Sequence, residues 1–306
     1  MPSSSIPDAG ARRRATVVGL GAIGLWALLA PLGVLIGSVP PFLLTGLAFA
    51  IGGLLGLAVL AARRQPLRLA FAADGKAWAL GTGAFFFYHA LYFTALQQLP
   101  PVEALLIINL WPLLIVLFTG LLPQERLLPG HLLGVACGLA GAAILVLGKA
   151  APEAGTPAPA VIGYLAAIGC ALIWSGYSVL NRRLVADVPS TAVTGFCLAT
   201  ALLSLLAHLL LEPAGWPEGS AWLAILALGL GPVGAAFFLW DHGTKHGALQ
   251  VLGAAAYLAP LLGTLLLLLM GRGEASLGLL AAAVLIVGGA AVASRSGAAR
   301  PEPAPV

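Results

Sequence analysis

Residues 104–118 read ALLIINLWPLLIVLF. The run is apolar enough to belong to a membrane span, yet it holds Asn109, Trp111 and Pro112 near its middle, where crossing a bilayer requires none of them. The proline motif returns once: Pro112-Leu113-Leu114 is echoed 148 residues later by Pro260-Leu261-Leu262. At the same offset Gly21 meets Gly169, Trp26 meets Trp174, Tyr92 meets Trp240, and Gly141-Ala142-Ala143 meets Gly289-Ala290-Ala291. Matches of Leu, Ala or Gly are cheap in this composition. A Trp pair and two PLL runs at one offset are not, so the chain reads as an internal repeat with halves 1–148 and 149–306.

Composition sets the class. The 306 residues are 60% hydrophobic and 8% charged, with mean hydropathy +1.01, against about 25% charged residues in ordinary soluble domains. No soluble core hides that much apolar surface, so the expectation is an all-α integral membrane protein. Cys137, Cys170 and Cys197 all lie inside apolar runs and read as small buried hydrophobes. The CxxC, HExxH, GxxxxGK and GxSxG patterns are missing from the sequence, which gives no reason to expect an enzyme, a metal or a cofactor. The run 16–38 after the basic N-terminus is too long for a signal h-region and ends in SVPP, so it reads as a retained first helix.

Ten spans are expected, at about 16–38, 42–61, 77–97, 101–121, 131–148, 160–180, 191–211, 220–240, 248–270 and 277–294. Pro, Gly or charge marks each break between them. With the N-terminus in the cytoplasm, thirteen of the fifteen Lys and Arg residues fall on cytoplasmic segments, and only Lys149 and Arg272 fall outside. That bias supports both the spans and their direction, places both termini in the cytoplasm, and explains the net charge of +4 without nucleic acid. Five helices per half is an odd number, so the second half enters the membrane inverted relative to the first. Inverted repeats around a central cavity are a common build for secondary transporters working by alternating access. The paired prolines, Pro112 and Pro260, are then the expected gating kinks, since proline removes an i to i−4 bond; ordinary tolerance of proline in membrane helices is the competing reading.

Aromatic residues far from the span ends are candidates for the cavity wall: Trp26, Tyr88, Tyr92, Trp111, Trp174, Tyr177, Phe237, Trp240 and Tyr257, with Asn109 as a polar partner. Phe85, Tyr88 and Tyr92 share one helical face. Trp78 and Trp222 open their helices and fit an interfacial belt, and packing between helices competes as the role of the deeper ones. Such a wall suits a flat apolar or aromatic solute. The lack of deep Lys or Arg argues against phosphorylated solutes. Glu103 and His89 are the candidates for a proton or cation site, each with a structural alternative: Glu103 at a helix N-terminus, His89 as a packed histidine. His208 is expected to face the interface, and Asp241, His242, Lys245 and His246 to form a solvated turn after the eighth helix, with part of an inner gate as the alternative.

The stretch YFTALQQLPPVEALLIINLWPLLIVLFTGLLPQERL, followed by GHLLGVACGLAGAAILV, resembles the EamA branch of the drug/metabolite transporter superfamily, and the likeness extends over nearly the whole chain. The A-L-x-x-L-P-x-x-E-A segment, the Trp-Pro pair and the P-x-E-R turn carry it. Within that branch the run LWPLLIVLF is most similar to YddG-type aromatic amino-acid exporters, which often have Tyr where this chain has Asn109. The resemblance implies a multi-pass protein of the bacterial inner membrane that exports amino acids or related metabolites without ATP, and with the aromatic wall the expected substrate is an aromatic or large hydrophobic amino acid. Its partners would be a small-molecule substrate and the lipid bilayer, with no nucleic acid and no subunit beyond a monomer required. The alternative is a drug, quaternary-amine or other metabolite exporter coupled to protons through Glu103.

Overall fold

The structure, a computed structural model, describes residues 9–99, 101–122, 125–147, 161–272 and 275–298. Among these residues every regular element is a helix. Helix α1 (Ala9–Trp26) resumes after a short break as α2 (Leu29–Ile36), followed by α3 (Pro41–Ala62) and α4 (Gly75–Gln98). Helices α5 (Pro101–Ile108) and α6 (Trp111–Thr119) are one interrupted rod, and α7 (Pro129–Leu147) closes the first half. The second half holds α8 (Val161–Leu184) and α9 (Val193–Leu211). Next, α10 (Ala221–Leu230) runs through a π turn at Gly231–Ala235 into α11 (Ala236–His246). A second interrupted rod, α12 (Leu249–Ala255) and α13 (Leu258–Leu269), precedes α14 (Leu277–Ala298).

Eight of the helical segments described are long and apolar enough to cross a membrane. Two shorter apolar helices, Ala104–Thr119 and Pro129–Ile144, stand where the fourth and fifth spans were expected. The chain is therefore a multi-pass membrane protein, with apolar side chains such as Leu209, Leu223 and Val284 on its periphery.

Four helices are interrupted, and each interruption adjoins a proline: Pro31, Pro112, Pro232 or Pro260. A proline offers no N–H to the carbonyl four residues earlier, which loosens the helix there. Only two of the four breaks were expected from the paired PLL runs; those at Ala27–Leu28 and Gly231–Ala235 are additional.

Two helix ends also depart from expectation. Helix α1 starts at Ala9, so Arg12, Arg13 and Arg14 lie inside it. Helix α11 runs on to His246, so Asp241, His242, Lys245 and His246 form its last turns rather than a solvated turn. Asp241 is fully buried, and Lys245 nearly so. Lys245 Nζ lies 3.0 Å from Asp241 Oδ1. Asp241 also accepts from Asn181 Nδ2 at 2.9 Å and from Ser190 Oγ at 2.5 Å. Satisfying the carboxylate in this way is what lets the helix carry it inside. One basic side chain is thus buried after all, close to a helix end.

The packing repeats with the sequence. A shift of 148 residues turns α3 into α9 and α7 into α14, and both pairs pack directly together. The same shift turns the α1–α11 contact into the α8–α4 contact, which is also present. At the α7–α14 seam, a Cβ on Gly134 would lie 2.5 Å from Gly289 O, and one on Gly141 would lie 2.9 Å from Ala282 O. These two contacts are images of one another, since Gly134 shifts onto Ala282 and Gly141 onto Gly289. Glycine is required there because the backbones approach too closely for a side chain.

The halves are not packed alike everywhere. Helix α6 packs on α12, and α8 on α11. The shifted pairs, α5 with α13 and α2 with α4, have no comparable contact. One end of the molecule is closed where the other is parted.

Candidate functional site: an aromatic cavity between the repeats

A cavity of about 250 Å³ occupies the parted region. Ala30 of α2, Tyr88 and Tyr92 of α4, Leu105 of α5 and Gly263 of α13 stand on its wall. All four helix interruptions reach it, through Ala27, Asn109, Pro232 and Ala256. Irregular backbone at membrane depth is tolerated only where protein or a cavity receives its polar groups, and the breaks gather accordingly.

The wall is built on an aromatic cluster. Trp26 sits at its centre, with ring centroids 6.2 Å from Trp111, 5.8 Å from Trp174, 6.4 Å from Phe237 and 5.0 Å from Trp240. Its indole N–H donates to Pro232 O at 3.0 Å, which ties α1 to the π turn. Two of the contacts join residues that are each other's counterparts at the repeat offset. One is the Trp26–Trp174 pair; the other is Tyr257, whose hydroxyl donates to Asn109 O at 3.1 Å across 148 residues. Residues that meet their own images lie on the axis relating the halves, and here that axis passes beside the cavity.

Of the residues expected at a site, Trp26, Tyr88, His89, Tyr92, Asn109, Trp111, Trp174, Phe237 and Pro260 line this cavity. Tyr177, Trp240 and Tyr257 stand in the layer behind: Tyr177 and Trp240 pack on Trp174 and Trp26, and Tyr257 holds the α5–α6 break. Pro112 is buried next to the break it causes. Glu103 lies in the first turn of α5, and its side chain is outside the residues described. Asn109 and Trp111, two residues apart across the break between α5 and α6, both reach the cavity because the break resets the helical register. His89 shares the wall with Tyr88. His208 is tucked inward, 2.8 Å from Glu212, whose carboxylate also caps α3 through Phe42 N at 2.7 Å.

Among the described residues, no Asp, Glu, Lys or Arg lines the cavity. Its polar equipment is the hydroxyls of Tyr88 and Tyr92, the Asn109 amide, the His89 ring and the indole N–H groups of Trp111 and Trp174.

The closed end is held by charges that sequence reasoning passed over. Glu125, in the segment between α6 and α7, accepts from Arg12 Nη2 at 3.0 and 3.1 Å and from Arg182 Nη1 at 2.7 Å. Gln250 Nε2 donates to its other oxygen at 2.8 Å. Arg182 continues to Lys245 O at 3.3 Å and to Gly247 O. One carboxylate therefore fastens α1 and the α6–α7 segment to α8 and α12. The only sequence signal was the P-x-E-R turn itself; its partners are 57 to 125 residues away.

The EamA-like transporter model matches this sequence twice, over residues 14–147 and 161–295. The chain belongs to the EamA-like transporter family. In this EamA-like transporter the two matches coincide with the two runs of helices related by the repeat offset. The aromatic amino acid exporter YddG of Ancylobacter novellus is 52% identical over 283 residues, 92% of this chain and 98% of that protein. A crystal structure 51% identical in sequence superposes with a TM-score of 0.87 over 93% of this chain and 99% of its own. Family and relatives make this a transporter rather than an enzyme.

Proposed function

We propose that the protein exports aromatic or large hydrophobic amino acids across the bacterial inner membrane by alternating access. Ten spans form two inverted five-helix repeats, 1–148 and 149–306, with both termini in the cytoplasm. The observation that carries the substrate class is the aromatic cavity, with no charged side chain among its described lining residues. Its volume of about 250 Å³ falls below the ~300–1,000 Å³ of clefts for drug-sized ligands and suits a single amino acid. Trp26, Tyr88, Tyr92, Trp111, Trp174 and Phe237 bind the side chain, with Tyr177, Trp240 and Tyr257 supporting them. Asn109 and the tyrosine hydroxyls serve the polar end. The name of the YddG relative supports the same reading.

The basic end with Arg12 and Arg182 is cytoplasmic under the Lys and Arg distribution. The described state is then outward-open, with the Glu125 cluster as its shut inner gate. Exchange of the two halves' conformations opens that gate and brings α5 against α13 and α2 against α4, and the loosened backbone at Pro112 and Pro260 lets the rods bend.

The test is counterflow. Purified protein in liposomes preloaded with unlabelled phenylalanine is given labelled phenylalanine, tryptophan, threonine or a quaternary amine, with no imposed proton gradient. Accumulation of the aromatic amino acids above the others is expected. Accumulation of threonine or the amine alone would overturn the substrate class, with the amine favouring a cation exporter working through Glu103.

A further inference from the structure

The polar groups on the cavity wall differ in what they offer. Tyrosine hydroxyls and the Asn109 amide both donate and accept, and the indoles of Trp111 and Trp174 only donate. His89 is the exception. Its Nδ1 lies 2.7 Å from Phe85 O, and a carbonyl can only accept, so the proton sits on Nδ1. The lone pair of the neutral ring is then on Nε2. Among the described residues that atom has no hydrogen-bond partner, and it is not among the buried polar atoms sealed away without one. It is open to the cavity that His89 lines. The ring is held in place edge-on to Phe49 at 5.1 Å and beside Tyr88 at 5.2 Å.

We infer that His89 Nε2 accepts an N–H of the substrate's α-ammonium group, and that this contact makes the site select amino acids over aromatic carboxylates of the same shape. The inference rests on the amino-acid reading above. A zwitterion entering the cavity brings three ammonium N–H groups that must be satisfied away from water, and among the described residues no carboxylate side chain lines the wall to receive them. Among the described lining side chains the acceptor-only atoms are His89 Nε2 and the amide oxygen of Asn109, and of these only the His89 ring is fixed in orientation by a hydrogen bond of its own, from Nδ1 to Phe85 O. The indoles of Trp111 and Trp174 are donors suited to the substrate's carboxylate. An aromatic acid without the amine leaves Nε2 buried against a ligand with nothing to donate, and that mismatch discriminates more sharply than lost apolar contact.

The experiment compares phenylalanine with 3-phenylpropionate, which lacks the amine, as competitors of labelled phenylalanine counterflow. The wild-type protein should prefer phenylalanine by about tenfold or more. In His89→Leu the apparent KM for phenylalanine should rise about tenfold while the inhibition constant of 3-phenylpropionate stays within about twofold. His89→Gln, which restores an acceptor oxygen, should recover most of the preference. Equal affinities of the wild type for the two compounds would overturn the inference even if no variant folds. So would a parallel loss for both compounds in His89→Leu, which is the signature of a merely structural histidine. Phenylalanine counterflow without that preference removes only the role of His89, whereas no phenylalanine counterflow in the wild type removes the amino-acid reading and this inference with it.

Discussion

Trp111 shows what one side chain does in this wall. It begins α6 directly after a helix break, packs edge-on against Trp26 at 6.2 Å and Trp240 at 5.9 Å, and still faces the cavity. A ring contact is worth about 0.5–1.5 kcal/mol beyond the area it buries. Trp111→Ala should therefore raise the apparent KM about three- to tenfold for phenylalanine and tryptophan and under about twofold for threonine; an equal change for all three would deny it a stacking role. The identities of the residues lining the cavity were more legible in the sequence than their orientation. Trp26 and Trp174 were picked out by their match at the repeat offset, and the structure puts their rings 5.8 Å apart. The roles of Asn109 and His89 were less legible, because a helical wheel assumes an unbroken helix and cannot show which ring nitrogen finds a carbonyl.

At the scale of elements, the breaks matter more than the spans. Apolar runs located the helices well, since each must supply its own backbone hydrogen bonds in lipid. The ends were misjudged wherever charge continued the helix. Asp241 and Lys245 look like loop residues in sequence, and only the partners from α8 and the neighbouring segment, Asn181 and Ser190, make their burial affordable in free energy. The interruptions at Pro31 and Pro232 were missed because neither proline has a counterpart at the repeat offset: Pro31 shifts onto Val179, and Pro232 onto Ala84. The paired prolines make a direct prediction. Pro112→Ala and Pro260→Ala each restore an N–H to the broken rod. Each should lower the turnover number at least about fivefold with apparent KM changed less than about twofold, because the site survives while the rod stiffens. A rise in KM at unchanged turnover would make these prolines wall elements instead of hinges.

For the whole molecule, the decisive feature is that contacts present at one end are missing from their images at the other. At the repeat offset Glu125 falls on Gly273, Arg182 on Val34 and Gln250 on Val102, so the sequence does not repeat this cluster at the offset. Glu125→Gln keeps the shape but removes the charge that both arginines face. It should favour the inward-open state, seen as faster labelling of a cysteine placed at Val251, next to the cluster, in a background with Cys137, Cys170 and Cys197 replaced by alanine; unchanged labelling would show that the cluster does not hold the inner end shut. Sequence alone gave the repeat, but which end is closed depends on pairings among distant segments that no single half encodes.

The account stands or falls on exchange between the halves, and two distances test it most directly. Val116 and Gly253 touch at the closed end, where a Cβ on Gly253 would lie 2.9 Å from Val116 Cγ2. Their images at the offset are Thr264 and Leu105, at the parted end. Spin labels at exposed positions flanking each pair, not on the packed residues themselves, with Cys137, Cys170 and Cys197 replaced by alanine, would report both gaps by pulsed electron resonance in nanodiscs. With phenylalanine added, a population should appear in which the Leu105–Thr264 gap closes towards the present Val116–Gly253 spacing while the latter opens. Both distances staying fixed during turnover, or moving in the same direction, would contradict the account.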